Sequence, residues 1–256
     1  MSRYKVRSLP VGETQMMGCE LYWMAEFDRW YPVQLQVVVI EGSGVTALIN
    51  TAPPADMTKV KEQFPDKLWD HLRQSDDETM AGALARAGLT AADVTHLILT
   101  PFELYANGCM DMFRHAQVCL SKTGWVHFHT SPDHPHHSHA RAFPRESLVH
   151  LVTDGWDNVR LLEDEDEIAP GLRTWWSGVH HRSSIVVEVD TRVGTVCISD
   201  SFFYYENVED DRLLGLNESM YEAFSTNRRV REVARHIVPL YDPKVFDRYP
   251  DGIVAG

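Results

Sequence analysis

Long apolar runs are missing from this chain of 256 residues. No stretch approaches the roughly 20 consecutive apolar residues that a helix needs to cross a bilayer. The opening Met1-Ser2-Arg3-Tyr4-Lys5 leads into mixed sequence rather than the apolar core of a secretory signal. Cysteine is scarce: Cys19, Cys109, Cys119 and Cys197 stand far apart and form no C-x-x-C pair, a usage that reads as reduced thiols in a cytoplasmic protein. Basic charge is also short, with 24 Lys and Arg against 37 Asp and Glu, a net charge of -13. A field of that sign disfavours nucleic acid and anionic membranes as partners. Low-complexity segments and repeats at solenoid periods are absent, and 44% hydrophobic with 24% charged residues is the composition of a folded globular chain. What the chain has in abundance is histidine, 13 in all, a residue that binds, titrates or hydrogen-bonds wherever it is kept.

Two β-branched runs, 33–40 and 45–50, flank a Gly-containing turn and predict a hairpin stopped by Pro53-Pro54. Residues 56–72 and 78–87 read as helices, the second closed by Gly88. A short helical turn over 89–93 leads into the continuously apolar strand 94–100. Further on the pattern predicts a loop over 101–108, a helix over 110–119, a short strand over 126–129 and a helix over 144–156. Strands are expected over 171–176, 184–190 and 195–199, then a helix over 220–236 and a strand over 237–240. Strands and helices interleave without a linker, which bounds the chain as one α/β domain spanning residues 1–256.

Polar residues follow the apolar runs at Asn50-Thr51, Thr100 to Gly108, His180-His181, Asp200 and Tyr241-Asp242. Strand ends that meet at one sheet edge are where α/β proteins place their sites. In order and spacing these segments resemble the metallo-β-lactamase fold superfamily, most closely its N-acyl-homoserine-lactonase-like branch. Ile49-Asn50-Thr51-Ala52 corresponds to a D-T-G-like turn. Residues 92–108 follow the phrase I-D-x-V-I-L-T-H-x-H-x-D-H-x-G, and 171–180 follow G-V-x-x-x-x-T-P-G-H. Residues 194–200 match G-x-V-x-x-x-G-D, and 239–243 match P-G-H-D-P. The resemblance runs from about Tyr31 onward and implies a four-layer αββα sandwich.

The departures bear on the chemistry. The family's H-x-H-x-D-H carries ligands for two metal ions, and Pro101, Glu103, Tyr105 and Ala106 occupy those positions here. The late histidine is Tyr241. Glu103, His180 and Asp200, the last at the bridging-carboxylate position, remain; such a set holds one Zn²⁺, Fe²⁺ or Mn²⁺, or works without metal as acid and base. Tyr105 and Tyr241 are then ligands or donors to a developing oxyanion. Trp176, Phe203 and Tyr205 are candidates for an apolar substrate pocket, or for core packing. His181 and Arg182 either meet a substrate carboxylate or pair with an acid such as Asp200 or Glu206. The loop Asp133 to His139 is either a surface crossing or a rim of the pocket, and the acidic run Glu163 to Glu167 reads as a solvated turn. The expectation is a hydrolase of a lactone, ester or related carbonyl compound, with a silent binding relative or a decarboxylase or isomerase as alternatives. A small molecule is the expected partner, and a homodimer is allowed.

Overall fold

The computed structural model describes residues 4–56, 58, 71–132 and 139–256. Among them twelve strands form two sheets. The larger is built on β1 (Lys5–Met17), β2 (Trp30–Gly42), β3 (Val45–Ile49), β4 (His96–Ile98), β5 (Gln117–Ser121), β6 (Val159–Leu162) and β12 (Ile253–Ala255), in the order β12-β1-β2-β3-β4-β5-β6. The smaller has the order β11-β10-β9-β8-β7, from β7 (Glu165–Ala169), β8 (Leu172–Trp176), β9 (Ile185–Thr191), β10 (Gly194–Ser199) and β11 (His236–Pro239).

The pleat decides what each face covers. Successive side chains point to opposite faces. Val187 and Val189 of β9 and Val196 and Ile198 of β10 therefore join one core with Val37, Leu48 and Ile98 of the larger sheet. Val186 and Cys197 point the other way, into a second cluster with Val208 and Val230. Those two valines belong to α7 (Tyr205–Glu209) and α8 (Met220–Val233), which cover the outer face of the smaller sheet. On the other side, past the single turn α1 (Gly18–Leu21), α2 (Met80–Arg86) packs on β1, and Thr79 caps it by accepting from the Gly82 N–H at 3.2 Å. The result is helix, sheet, sheet, helix.

Several expectations need correction. Residues 126–129 are not a strand but part of α4 (Lys122–Thr130). Ser121 caps that helix through the Gly124 N–H at 3.1 Å, and Trp125 and Phe128, three apart, face the aromatic group of Phe102 and Phe143. The helix expected over 110–119 is a single 3-10 turn, Met110–Phe113, followed by β5, whose apolar side chains sit between two parallel neighbours. The acidic run is no solvated turn: β7 pairs with β8, and its charges meet Arg229 and Arg160, each at 2.7 Å. The helix expected over 144–156 is shorter, α6 (Arg145–Leu151). The thirteen-residue β1, which no expectation covers, pairs with β2 along its length. The helix expected over 56–72 lies largely outside the described residues, as does most of the histidine loop.

Helix α4 presses on the turn that will carry two site histidines. A Cβ on Gly124 would stand 2.4 Å from Ser183 Cα and 3.0 Å from its nitrogen. Backbone cannot yield as a flexible side chain does, so Gly124→Ala is expected to lower stability by about 1–3 kcal/mol, the range for overpacking. Thermal or urea unfolding checks this, and an unchanged midpoint would contradict the close approach.

Candidate functional site

Asp200 follows β10 and is fully buried. Both carboxylate oxygens are taken by hydroxyls: Thr100, just past β4, donates to Oδ1, and Ser184, just before β9, donates to Oδ2. Each hydroxyl also accepts. Thr100 Oγ1 receives the Ile185 N–H at 3.0 Å, and Ser184 Oγ receives the His181 N–H at 3.1 Å. Asn50, at φ 62°, locks the Thr100 backbone from the other side, accepting its N–H at 2.9 Å and donating to its carbonyl at 2.6 Å. Burial lifts the Asp200 carboxyl to about 6, the two hydroxyls pulling against it, so it is mainly ionised at neutral pH.

The turn between β8 and β9 is the second element. Gly178 and Val179 both take positive φ, 59° and 68°. For a β-branched residue this is an outlier. The Val179 N–H donates to Glu222 at 3.2 Å, its carbonyl accepts the Glu218 N–H at 2.6 Å, and the Ser177 and Gly178 N–H groups both reach the Ser184 carbonyl at 3.2 Å. The strained turn delivers His180 and His181 side by side, ring centroids 3.9 Å apart. His180 Nδ1 lies 3.0 Å from the Leu216 carbonyl, which only accepts, so that nitrogen carries the proton.

Glu103 opens the short helix α3 (Leu104–Asn107) and is 6% exposed. His181 Nε2 approaches its Oε1 at 3.7 Å. Burial raises the Glu103 carboxyl to about 8, with the Arg141 charge offsetting a part. Tyr105 and Tyr241 share an Oη–Oη contact of 3.3 Å. Burial pushes both phenols well above their usual range, and the negative charges of Glu103 and Asp200 push the same way. Both remain O–H donors at neutral pH. Phe203 completes the group, 4.4 Å from the Tyr241 ring and 4.8 Å from that of His180. A cleft of about 50 Å³ opens beside Glu103 and His181 and is walled by Phe102, Phe128, His127 and Arg182.

The structure thus brings Glu103, Tyr105, His180, His181, Asp200, Tyr241 and Phe203 into one neighbourhood. Arg182 reaches the cleft edge, but its guanidinium pairs with Glu218 at 2.5 Å and with Glu222, not with Asp200 or Glu206. Trp176 stands behind it, donating to the Arg182 carbonyl at 2.7 Å. Tyr205 is apart from the cleft, buried with Arg248 3.5 Å over its ring. His139 opens the short helix α5 (His139–Ala142) and lines the cleft, where its Nε2 meets the Phe128 carbonyl at 2.5 Å. Thr100 and Ser184 are the residues that sequence reasoning missed as partners of Asp200. Their only signal is position, each at a strand end.

Among the described residues no three His, Cys, Asp or Glu side chains are grouped to hold a metal ion. The donor chemistry gives the reason: Pro101 and Ala106 offer no side-chain donor, Asp200 spends both oxygens on hydroxyls, and the two phenols stay protonated. Among the described residues the donors fit neither the two-metal arrangement nor a mononuclear one.

A neutral buried Glu103 ties stability to pH. The folded chain keeps its proton up to about pH 8, whereas the ordinary value is 4.5. The stability it contributes is fully present below pH 4.5 and is lost as pH rises through about 8. Glu103→Gln, neutral throughout, is expected to gain in melting temperature relative to the parent across this window. A constant difference from pH 5 to 9 would contradict a raised carboxyl.

No family model matches the chain, and no curated protein does. Solved structures do. One is an N-acyl homoserine lactone hydrolase with the product N-hexanoyl-L-homoserine bound at its catalytic metal centre, at TM-score 0.77 and 15% identity over 97% of each chain. Another is AidC, a dizinc quorum-quenching lactonase, at TM-score 0.62 and 10% identity over 90% of this chain and 83% of that one. A third is AbOPH, a hydrolase in the β-lactamase superfamily, at TM-score 0.63 and 13% identity over 98% and 89%. At such identities the likeness is one of fold, and this chain shares the layered α/β fold of those three hydrolases.

Proposed function

We propose that the chain is a hydrolase that opens a lactone, ester or related carbonyl compound by acid–base chemistry, without a metal ion. The single observation that carries this reading is the Glu103–His181 pair, a buried carboxyl raised to about 8 and an imidazole 3.7 Å away, at the base of a cleft. A group poised near the working pH is what general acid–base catalysis requires. Ionised Glu103 takes a proton from a water in the cleft as that water attacks the carbonyl carbon. Tyr105 and Tyr241 donate to the oxyanion that forms. The protonated Glu103 then returns its proton to the leaving alkoxide, which balances the step. The similar solved structures that hold N-hexanoyl-L-homoserine, a ring-opened lactone, support the carbonyl class.

The small molecule is the partner in this reading. All four cysteines are free thiols, which suits a reducing compartment such as the cytoplasm. No helix among the described residues is long and apolar enough to cross a membrane. A second reading, a silent relative that binds a small molecule or a partner protein, is favoured by the small volume of the cleft, about 50 Å³.

A panel of lactones and esters separates the two. Turnover should survive a chelator, and kcat/KM should climb as pH rises through about 8, because the base form of Glu103 is the active one. Glu103→Gln should lose about 10²–10⁴-fold, the usual worth of a general base. No turnover on any member, or turnover abolished by chelator, would overturn the acid–base reading.

A further inference from the structure

The chain has the frame of metal-dependent lactonases but not their donors, and the place of the bridging carboxylate is filled by Asp200. Asp200 stands at the point where the two sheets meet. Thr100 lies two residues past β4 of the larger sheet, while Ser184 and Asp200 flank β9 and β10 in the smaller one. Their exposures are all 0%. A carboxylate this deep has to be satisfied from every side, and here two hydroxyls on two different strand ends do it.

We infer that Thr100, Asp200 and Ser184 form a hydroxyl–carboxylate clamp that joins the sheet ends without an ion and, through Ser184, positions His181 against Glu103. The clamp itself is independent of the acid–base reading; its positioning role rests on that reading.

Three features make the clamp more than three separate contacts. First, each hydroxyl is used twice. It donates to Asp200 and accepts a backbone N–H, Ile185 for Thr100 and His181 for Ser184. A hydroxyl has one hydrogen, so donation to the carboxylate fixes the oxygen lone pairs toward those N–H groups. Second, the surrounding buried polar groups hold in place the backbone that carries each hydroxyl. Asn50 grips the Thr100 backbone on both sides, and the Ser184 carbonyl is held by the Ser177 hydroxyl at 3.0 Å and two N–H groups. Third, the next residue back, Ser183, accepts the Phe102 N–H at 3.0 Å, so the turn carrying His181 is tied to the segment carrying Glu103 at a second point. Thr100 and Ser184 are therefore positioning residues: neither faces the cleft, and both act through what they hold.

Amide hydrogen exchange on the intact chain, followed by residue-resolved NMR without substrate, tests the clamp separately from catalysis. Thr100→Val keeps the shape and removes the hydroxyl; Thr100→Ser keeps the hydroxyl; Ser184→Ala removes the other. Loss of one such bond is expected to speed exchange by about tenfold beyond any change at Leu97 and Ile98 in the core. Because both hydroxyls hang on one carboxylate, Thr100→Val and Ser184→Ala should each raise exchange at both Ile185 and His181, and Thr100→Ser should raise neither. Equimolar zinc should leave the wild-type rates and melting temperature unchanged. Exchange that rises only at the amide held by the altered hydroxyl, Ile185 for Thr100 and His181 for Ser184, or at neither, would overturn the clamp. Zinc that slows exchange at His181 and raises the melting temperature would overturn it too, since Asp200 would then be a ligand. Either result leaves the hydrolysis of a carbonyl substrate to be judged by its own assay.

Discussion

A carboxylate with no exposed surface has to be met by donors, and for Asp200 those donors are the hydroxyls of Thr100 and Ser184. The arrangement around the site depends on this. Thr100 is held in register by Asn50, and Ser184 is held by the serine-rich turn before β9. Remove the carboxylate and two buried hydroxyls lose their acceptor; remove a hydroxyl and a buried charge loses a donor, the costlier of the two defects. The junction of the two sheets is thus a polar contact set inside an apolar sandwich, and its geometry is specific where the apolar packing around it is not.

The same junction separates two carboxylates by environment. Asp200, hydrogen-bonded from both sides, is raised only to about 6, whereas Glu103, desolvated beside an imidazole and Arg141, is raised to about 8. One is mainly ionised at neutral pH and structural in its contacts; the other is mainly protonated and faces a cleft. Pairs of acids pushed apart in this way are how one site assigns anchoring and proton transfer to different side chains. The tyrosines follow from the same burial, which keeps both phenols as donors.

Much of this was legible in the sequence, and the parts that were not have physical reasons. The hairpin β2–β3 and strands β8, β9 and β10 announce themselves through β-branched runs between turns, and five strand-end motifs in order pointed to the sandwich. Helix α4 did not, because its two-turn length and its histidines leave the 3.6-residue period too short to distinguish from a strand. Strand β7 was hidden by its acids, one of which, Glu165, finds its partner Arg229 64 residues away. Within the site, Glu103, His180 and Asp200 were recognisable from motif positions, but the partners of Asp200 were not: Thr100 and Ser184 lie 100 and 16 residues away, and nothing local in either marks a carboxylate contact. Arg182 shows the reverse case, a cation whose acids, Glu218 and Glu222, come from a later helix region.

The most direct measurement is a crystal structure of tag-free protein grown with zinc, with anomalous data collected at the zinc edge. The account predicts no anomalous peak within bonding distance of Asp200 and finds its oxygens facing the hydroxyls of Thr100 and Ser184. A peak bound by Asp200 together with Glu103 or His180 would contradict it.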